Sequence, residues 1–375
     1  MIELIEVKDK LNCCGCSSCY SICPSNAIYM ILDNEGFCYP KVNLDKCINC
    51  GKCEKACPIV NYKKNLSNTL DVYAGFNKNK SELRKSSSGG IFSALAHYFL
   101  ENNGIVYGAS WNENKVNHIR INNLDDLHLL QSSKYIQSNM IDIHKTLKKD
   151  LDNGLNVLFT GTPCQIESVY SYLGKNYDNL YTQDIICHGV PSPKLFDKYL
   201  SEIDGTNKIV NFRYKEKNWK NYKVLISNNE KQIVNNHYFD PFMRSFIFNY
   251  NLRPSCYECK FKKLYRISDI TLGDFWGVEM IDKKLMNKMG TSLVFIHNKK
   301  GKDLIEKVMN EISLEQISIK DAIAFNDSYY KSSKSPRNRD SFWKDSEIMG
   351  FSELVNKYCP HENVSLPKKI LKKIL

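Results

Sequence analysis

The stretch from Cys13 to Pro24, Cys-Cys-Gly-Cys-Ser-Ser-Cys-Tyr-Ser-Ile-Cys-Pro, decides the N-terminal fold because its cysteine spacing occurs twice. The same Cys-x2-Cys-x2-Cys-x3-Cys-Pro spacing returns from Cys47 to Pro58. Bacterial ferredoxins use this run to bind two 4Fe–4S clusters, and the fourth cysteine of each run ligates the other cluster. The spacing therefore predicts one cluster on Cys13, Cys16, Cys19 and Cys57, and a second on Cys47, Cys50, Cys53 and Cys23.

Two other uses of cysteine fit this pattern less well. Ten of the fifteen cysteines precede residue 58. Neither zinc sites nor disulfides require two identical four-cysteine runs, and the dense spacing favours metal ligation in a reducing compartment. Cys14 and Cys38 fall outside the runs, and we expect them to be buried small apolar residues. Residues 1–62 are therefore assigned to a 2×(4Fe–4S) ferredoxin-type domain.

The bulk composition is typical of a soluble protein with more than one domain. The chain has 375 residues, of which 42% are hydrophobic and 25% are charged, and such a length suits two or three domains. Its apolar runs are all shorter than the ~18 residues of a membrane span. The first residues, Met-Ile-Glu-Leu-Ile-Glu, lack the basic and apolar regions of a secretory signal. These features predict a cytoplasmic protein without a transmembrane segment.

The net charge of +11 does not predict nucleic-acid binding here. Four thiolates leave each 4Fe–4S site net negative, and this charge offsets part of the excess. The remaining positive charge favours an acidic redox partner such as a separate ferredoxin, attracted by electrostatic steering. The alternative is that the lysines serve only to solvate the surface.

From Asp71 onward the chain alternates between strand and helix patterns. Residues 61–70 are polar and are predicted to form a linker. Predicted strands lie near 72–76, 105–109, 157–160, 180–186, 209–212, 224–226 and 292–297. Predicted helices lie near 88–101 with Ser88 as N-cap, 141–151, 163–173, 194–203, 301–311 and 321–325. The expected fold class is α+β: a small ferredoxin-like N-terminal domain, then a mixed α/β domain.

Four further cysteines, Cys164, Cys187, Cys256 and Cys259, follow a gap of more than a hundred residues. The first two lie at predicted strand ends and the last two form a Cys-x2-Cys loop, so all four could converge. Four thiolates suit either zinc or a third 4Fe–4S cluster, and spacing alone leaves both open. Alternatively, Cys164 at a helix N-terminus could be a redox nucleophile. His188 is expected to be a hydrogen-bonded structural residue, and Cys359 receives no role.

Several motifs resemble the beta subunit of coenzyme F-420 hydrogenase/dehydrogenase, a family that includes flavin-dependent reductases of the chlorophyll pathway. The resemblance covers roughly residues 71–345, which we divide into 71–150 and 155–345. Members with a fused ferredoxin head are common. The motifs are Ser86-Ser-Ser-Gly-Gly-Ile-Phe92, Ser133-Lys-Tyr-Ile-Gln-Ser138, Gly161-Thr-Pro-Cys-Gln-Ile166, Ile186-Cys-His-Gly-Val-Pro-Ser-Pro193, Arg253-Pro-Ser-Cys-Tyr-Glu-Cys-Lys260 and Asp269-Ile-Thr-Leu-Gly-Asp-Phe-Trp-Gly277.

The resemblance implies FAD and a third 4Fe–4S cluster, the latter on Cys164, Cys187, Cys256 and Cys259. Small and hydroxyl-bearing residues before a helix N-terminus suit a pyrophosphate. Without the resemblance, the same serines would be interpreted as an N-cap and turn. The predicted FAD contacts are Ser86, Ser87, Ser88, Gly89, Gly90, Ser133, Lys134, Tyr135, Gln137 and Ser138. The absence of Gly-x-Gly-x-x-Gly after the first strand argues against an ordinary dinucleotide-binding fold.

The resulting hypothesis is an iron–sulfur flavoprotein oxidoreductase that exchanges hydride with coenzyme F-420 or another small organic acceptor or donor. No catalytic residue is assigned, because hydride transfer between two rings needs their placement more than an acid or base. Three alternatives remain: an electron-transfer subunit of a hydrogenase or formate dehydrogenase complex without turnover alone, a reductase in surface-polysaccharide biosynthesis, and a ferredoxin-dependent disulfide reductase. The sequence leaves the two-electron substrate, the direction of electron flow and the oligomeric state open.

Residues 346–375 are predicted to be a basic tail. Its last part, Leu366-Pro-Lys-Lys-Ile-Leu-Lys-Lys-Ile-Leu375, is a short basic amphipathic stretch. Such a stretch suits peripheral contact with a membrane or an acidic partner. A solvated, frayed helix is the favoured alternative.

Overall fold

The computed structural model describes residues 9–62, 71–203, 209–227 and 232–360. Its strands are β1 (Ile28–Leu32), β2 (Cys38–Val42), β3 (Asp71–Asn77), β4 (Ile105–Asn112), β5 (Lys115–Ile121), β6 (Val157–Gly161), β7 (Leu180–Ile185), β8 (Ile209–Tyr214), β9 (Lys223–Ser227), β10 (Gln232–Asn236), β11 (Ile270–Asp274), β12 (Ser292–Ile296) and β13 (Ile312–Gln316). Its helices are α1 (Ser18–Ile22), α2 (Lys52–Lys55), α3 (Lys80–Lys85), α4 (Ile91–Glu101), α5 (Leu127–Leu130), α6 (Ile143–Asp152), α7 (Pro163–Leu173), α8 (Pro193–Ser201), α9 (Pro241–Ile247), α10 (Val278–Ile281), α11 (Lys299–Lys307), α12 (Ile319–Ile323), α13 (Arg339–Asp345) and α14 (Phe351–Tyr358).

The N-terminal head repeats its backbone as well as its sequence. Gly15 and Asn49 occupy equivalent places in the two cysteine runs and both have positive φ, +71° and +52°. Ser17 and Gly51 are likewise equivalent, at +62° and +67°, and each is the N-cap of its short helix, α1 or α2. The antiparallel hairpin β1–β2 completes the head. Two runs of one spacing therefore fold in the same way.

An eight-stranded mixed sheet forms the centre of the large domain, in the order β13-β3-β12-β11-β7-β6-β4-β5. Strands β4, β6, β7 and β11 are parallel to their neighbours within this group, whereas β5, β12, β3 and β13 pair antiparallel at the flanks. The carboxyl ends of the central parallel strands consequently meet at one edge. In doubly wound folds, ligands bind at this edge.

Apolar residues cover both faces of the central strands. In β6, Val157 and Phe159 point into one core with helices α6 and α7, while Leu158 points into the opposite core with α4. All three side chains are fully buried. A strand that is buried on both faces reads as a continuous apolar run, and for this reason its position was predictable. The mixed α/β architecture with a small N-terminal domain is confirmed.

A second, three-stranded antiparallel sheet, β10-β9-β8, packs against helices α8, α9 and α14. Phe212 on β8 lies among the aromatic rings of Phe196, Phe242, Trp111 and Tyr135. This aromatic core joins the small sheet to the region near the strand edge. Among the helices in the described ranges, none is both long enough and apolar enough to cross a bilayer.

The start of α4 and the C-terminal segment are among the sequence expectations that differ from the structure. Helix α4 begins at Ile91 rather than Ser88, because Gly90 turns the chain at φ +76° and Ser88 donates its hydroxyl to the carbonyl of Thr291.

The segment from residue 346 is not a tail throughout. Phe351, Leu354 and Val355 of α14 are fully buried against α8 and α9. The basic stretch 366–375 and most of the predicted linker lie outside the described residues.

The buried ion pair Asp184–Arg266 gives a stability prediction. Its side chains are 2% and 1% exposed, and the guanidinium also donates to the carbonyl of Tyr329. Asp184→Asn leaves the buried guanidinium without its counter-charge, so we expect a loss of about 3 kcal/mol in unfolding free energy. Anaerobic urea unfolding followed by circular dichroism measures this loss. Glu347→Gln removes the exposed pair with Lys194 and is expected to cost less than about 1 kcal/mol; equal losses in both variants would contradict the prediction.

Candidate metal centres and cofactor site

The first two cysteines of the later set lie at the carboxyl ends of adjacent parallel strands. Cys164 is in the first turn of α7, directly after β6, and Cys187 follows β7. Helix α7 begins sharply because Thr162 and Gln165 form a reciprocal capping box and Pro163 occupies its first turn. Since β6 and β7 are neighbours in the sheet, the two thiols are brought to the same edge.

The other two cysteines reach this edge through a loop that pairs with the segment after Cys187. An isolated antiparallel bridge joins Pro191 to Leu252, and the Arg253 amide donates to the carbonyl of Val190 at 2.9 Å. The Val190 amide in turn donates to the Cys256 sulfur at 3.5 Å. This pairing carries Cys256 and Cys259 to the place where Cys164 and Cys187 lie.

All four thiols line one recess. It encloses about 520 Å³ of empty space, some of it open to solvent, and it is also lined by Cys14, Arg253 and Lys262. A second recess of about 490 Å³ is lined by Cys23, Cys47, Cys50 and Cys53. The two recesses thus match in size and in their content of four predicted ligands.

Burial controls the acidity of these thiols. It raises the pKa of Cys187 to about 12 and raises the pKa of Cys256 and Cys259 above the usual thiol value. In contrast, a hydrogen bond with Cys14 lowers the pKa of Cys164 to about 7. Buried thiols that resist ionisation can still bind iron, because the metal stabilises the thiolate and the proton is released to solvent. These four thiols therefore suit a positively charged ligand such as iron.

Cys14 is more than the small apolar residue that the sequence predicted. Its thiol is buried in the recess that Cys164 also lines, and interactions with Cys16 and Cys164 raise the pKa of Cys14 well above the ordinary value. Cys16 belongs to the head and Cys164 to the large domain. Cys38 is only half-buried and Cys359 is buried. Cys14 therefore connects two candidate ligand sets, a role that spacing could not reveal.

The structure brings the head cysteines together in two groups. Cys23 lies with Cys47, Cys50 and Cys53 around the 490 Å³ recess. Cys19 and Cys57 each interact electrostatically with Cys13 and Cys16. In the described ranges, no three histidine, cysteine or acidic side chains converge on a position for a single metal ion. A 4Fe–4S cluster makes a different demand, because its four thiolates bind four separate iron atoms.

The two segments predicted to contact FAD meet in the structure. The Ser87 hydroxyl accepts a hydrogen bond from the Ser133 amide at 2.8 Å and lies 2.9 Å from the Ser133 hydroxyl. The Gly89 amide donates to the Ser292 hydroxyl, which ties the serine loop, residues 86–90, to β12. A Cβ on Gly89 would lie 2.4 Å from the carbonyl oxygen of Gly75. Gly89 is therefore needed so that the serine loop can pack closely against the backbone of β3.

Other members of the predicted FAD set have different surroundings. Lys134 donates to the carbonyls of Leu129 and Gln131, and burial lowers its pKa to about 7. Gln137 and Ser138 point toward the cysteine sites instead. The Gln137 amide nitrogen donates to the carbonyl of Cys14.

Ser138 belongs to a buried polar chain. Its hydroxyl lies 2.8 Å from His118 Nδ1 and accepts from the Gln165 amide. The carbonyl of Thr160 is 3.0 Å from His118 Nε2; since a carbonyl can only accept, Nε2 carries the proton. Gln165 is also part of the cap of α7, so the polar chain links the segment 133–138 to the turn that holds Cys164.

Two basic residues beside the serine loop were missed by the sequence analysis. Arg213 donates to the Ser87 carbonyl, the Tyr135 hydroxyl and Asp274, and its Nε has no hydrogen-bond partner among the described residues. Lys215 donates to the Ser88 carbonyl, and burial lowers its pKa to about 7. Both lie on or directly after β8, in a Phe-Arg-Tyr-Lys stretch whose alternation of apolar and basic residues was the available signal.

His188, next to Cys187, is a structural residue. Its Nε2 lies 2.6 Å from the Asn249 amide oxygen, and its ring packs edge-on against Phe246. Burial lowers its pKa to about 4. These contacts agree with the sequence expectation of a hydrogen-bonded histidine.

Two arginines of the large domain help to attach the head. Arg339 forms a two-pronged ion pair with Glu35 in the β1–β2 turn, and the Ser192 hydroxyl donates to the Glu35 carbonyl. Arg253 donates to the carbonyls of Cys13 and Cys38. The first attachment holds the hairpin and the second holds the Cys13–Cys16 turn, so the candidate ligand sets keep a fixed relation.

Two family models match separate parts of this chain. Residues 154–322 match the C terminus of the beta subunit of coenzyme F420 hydrogenase/dehydrogenase, and residues 12–60 match the 4Fe-4S dicluster domain. Both matches confirm the resemblance predicted from the motifs, with a ferredoxin-type domain fused at the N-terminus. The dicluster match supports iron–sulfur clusters in the head.

Two known proteins show partial similarity. A stretch of 49 residues is 41% identical to the B component of the Na(+)-translocating ferredoxin:NAD(+) oxidoreductase complex of Acetobacterium woodii, covering 13% of this chain and 14% of that protein. The chain thus matches only about one seventh of that relative's length. A chain from the F420-reducing [NiFe] hydrogenase complex of Methanosarcina barkeri has a TM-score of 0.48 and 17% identity, over 76% of this chain and 96% of that one.

Gly15 gives a prediction about the contact between head and domain. A Cβ at Gly15 would lie 2.5 Å from the Gln137 amide nitrogen and 2.6 Å from an Arg253 nitrogen, whereas a Cβ at Gly51 meets nothing within 4 Å. Both glycines have positive φ, so alanine strains the backbone at both by about 1–2 kcal/mol. Gly15→Ala adds overpacking of about 1–3 kcal/mol. We expect a lower unfolding midpoint and less bound iron in Gly15→Ala than in the control Gly51→Ala; equal values would contradict the steric argument.

Proposed function

We propose that this chain, which joins a 4Fe–4S dicluster domain to a beta-subunit domain of the coenzyme F420 hydrogenase/dehydrogenase family, is an iron–sulfur flavoprotein oxidoreductase. It exchanges single electrons with an outside carrier at the exposed end of the head. A flavin beside the serine loop exchanges hydride with a small organic molecule. The observation that carries this proposal is that Cys14 of the head lines the same recess as the four later cysteines of the large domain. This shared recess makes the head part of the same redox unit as the domain.

Iron–sulfur clusters at the thiolate sites would serve as one-electron carriers. FAD would supply the exchange between one-electron and two-electron chemistry. The protein determines the order in which these sites lie along the molecule. Cys50 is exposed, while Cys14 is buried at the far side of the head. The set containing Cys50 therefore forms the outer site. The set containing Cys16 forms the inner site, and the set containing Cys164 forms the domain site.

The outer site suits a small acidic electron carrier. Leu44 and Ile48 beside it are 62% and 65% exposed. Lys46, Lys52 and Lys55 are exposed near the same run of sequence. An apolar contact with a basic rim favours brief docking of an acidic protein, because charge speeds the encounter without fixing the complex. A carrier of the ferredoxin type has this chemistry.

For the domain site we propose a third 4Fe–4S cluster on Cys164, Cys187, Cys256 and Cys259. The recess matches that of the outer site in size, and the Val190 amide already donates to the Cys256 sulfur. Lys262 lines the recess and donates to the His188 carbonyl at 2.9 Å. A nearby ammonium offsets the negative charge that four thiolates would bring.

For FAD we propose the region between the serine loop and β8. Arg213 is 3% exposed, touches both predicted FAD segments through Ser87 and Tyr135, and keeps its Nε without a partner among the described residues. Its guanidinium lies over the Tyr222 ring at 4.1 Å. A buried donor of positive charge with spare hydrogen-bonding capacity suits a pyrophosphate. In this arrangement the serine loop shapes the site, and Arg213, which also pairs with Asp274, supplies its remaining hydrogen-bond donor.

A second candidate is an electron-transfer subunit that works only within a larger complex. The exposed apolar residues at the outer site would then be covered permanently by another subunit, as obligate interfaces are more apolar than transient ones. Turnover separates the two candidates. The purified chain should reduce or oxidise coenzyme F420 or another hydride acceptor with a ferredoxin present, whereas a subunit of this kind would show no turnover alone.

Iron content tests the domain site. The double variant Cys256→Ala/Cys259→Ala removes two proposed ligands, so iron should fall from about twelve to about eight per chain. The control Cys14→Ala removes a thiol that lines the same recess without being a proposed ligand, and it should keep about twelve. Anaerobic iron and sulfide assays with electron paramagnetic resonance give the counts. Wild-type protein with about eight irons would rule out the third cluster.

Flavin content tests Arg213. Arg213→Gln removes a buried charged donor and should weaken FAD binding about tenfold or more, with iron unchanged. FAD released by acid and measured by fluorescence provides the readout. Arg120→Gln is the control, because Arg120 pairs with Asp150 through β5 rather than touching the serine loop. Full FAD content in Arg213→Gln, or wild-type protein that takes up no FAD, would overturn this site.

A further inference from the structure

Arg253 is the most completely enclosed cation near the candidate clusters. It is 0% exposed. Its Nε donates to the Cys13 carbonyl at 2.8 Å, one terminal nitrogen donates to the Gln137 amide oxygen at 3.0 Å, and the other donates to the Cys38 carbonyl at 2.9 Å. That last nitrogen also lies 3.6 Å from the Cys13 sulfur. The guanidinium therefore hydrogen-bonds a predicted cluster ligand directly.

The surroundings hold this guanidinium in one position. It lies over the Tyr39 ring at 4.3 Å and the Phe37 ring at 5.4 Å. Gly15 leaves room for it, since a Cβ there would be 2.6 Å from one of its nitrogens. Its backbone amide is fixed to Val190, and Cys256 follows three residues later. The residue is anchored on the domain site while its side chain reaches the inner site.

A buried guanidinium needs a counter-charge, and here no carboxylate provides it. Within the ranges that the structure describes, no aspartate or glutamate lies within ion-pair distance of Arg253. The sulfur of Cys13, 3.6 Å from a terminal nitrogen of Arg253, is the nearby group that can become negative. An isolated buried charge is costly. The structure thus points to the cysteine site itself as the partner of this cation.

We propose that Arg253 is a positioning residue that raises the reduction potential of the inner cluster, held by Cys13, Cys16, Cys19 and Cys57, above that of the outer cluster. Reduction adds one negative charge to a cluster, so a buried cation and a hydrogen bond to its sulfur favour the reduced form. The outer site has Lys52 and Glu54 along its rim, where opposite charges and water reduce any such effect.

The consequence is a preferred direction within the head, an inference that rests on the proposed electron relay. One electron leaves the outer cluster and enters the inner one; no bond forms or breaks and no proton moves. With the inner potential higher, this transfer is downhill toward the large domain. Arg253 would then bias the distribution of electrons in the head toward the cluster next to the large domain.

The test is a potentiometric titration of the anaerobically purified full chain, followed by electron paramagnetic resonance. Arg253→Gln removes the charge and is expected to lower the potential of the inner cluster, with the potential of the outer cluster unchanged. The expected change in the one-electron equilibrium constant is about tenfold or more, which corresponds to about 59 mV. Arg253→Lys keeps the charge without the fork of donors and should restore part of the shift.

Two further variants separate electrostatics from loss of structure. Arg339→Gln removes the other arginine that attaches the head, through Glu35, and should leave all potentials unchanged. Gln137→Glu places a carboxylate against Arg253 without removing it, and should also lower the inner potential. The proposal would be overturned if iron-loaded Arg253→Gln kept the wild-type potentials. If that variant fails to load iron, wild-type potentials in Gln137→Glu would overturn it instead. Failure of the relay itself would be seen separately, as a wild-type chain whose reduced head passes no electron to the domain.

Discussion

Two parallel strands that are neighbours in a sheet must end at the same edge, and the chemistry of this chain depends on that constraint. Because β6 and β7 are neighbours, they place Cys164 and Cys187 together even if the two cysteines do not interact strongly. The loop containing Cys256 and Cys259 then needs only the Pro191–Leu252 bridge to reach the same edge. Four residues spread over almost a hundred positions are thus gathered by ordinary sheet topology rather than by a local motif.

The loop after Cys259 is held to this edge by buried charge. Arg266 pairs with Asp184 at the end of β7, and Lys263 pairs with Glu167 on α7, both with little exposure. Lys262 donates to the carbonyl of His188. Each of these three basic residues has an identified partner, so the Lys/Arg-rich stretch 260–266 serves the architecture. Part of the positive net charge that looked like a partner-binding feature in the sequence is therefore used inside the molecule.

The sequence predicted most of the features that depend on a repeated spacing or a regular apolar pattern. It predicted few of the features that depend on tertiary contacts. The two cysteine runs, helix α7 with its Pro163 start and the buried strand β6 were all visible, because spacing, capping and apolar runs are local properties. The flanking strands such as β5 and β13 were missed, since antiparallel edge strands carry a weaker pattern. The start of α4 was misplaced because hydrogen bonds that join the serine loop to β3 and β12 decide where the chain turns.

The candidate site shows the same division. Residue type and spacing were enough to single out the twelve candidate ligands, whereas Cys14, Arg213 and Arg253 acquire their meaning only from neighbours distant in sequence. Cys14 looked like a spare thiol because its partner Cys164 is 150 positions away. A cation also has no sequence signature of burial, so Arg253 resembled any other basic residue. Its position joins the two parts of the chain: the guanidinium comes from the large domain, and the Cys13 sulfur 3.6 Å from it comes from the head.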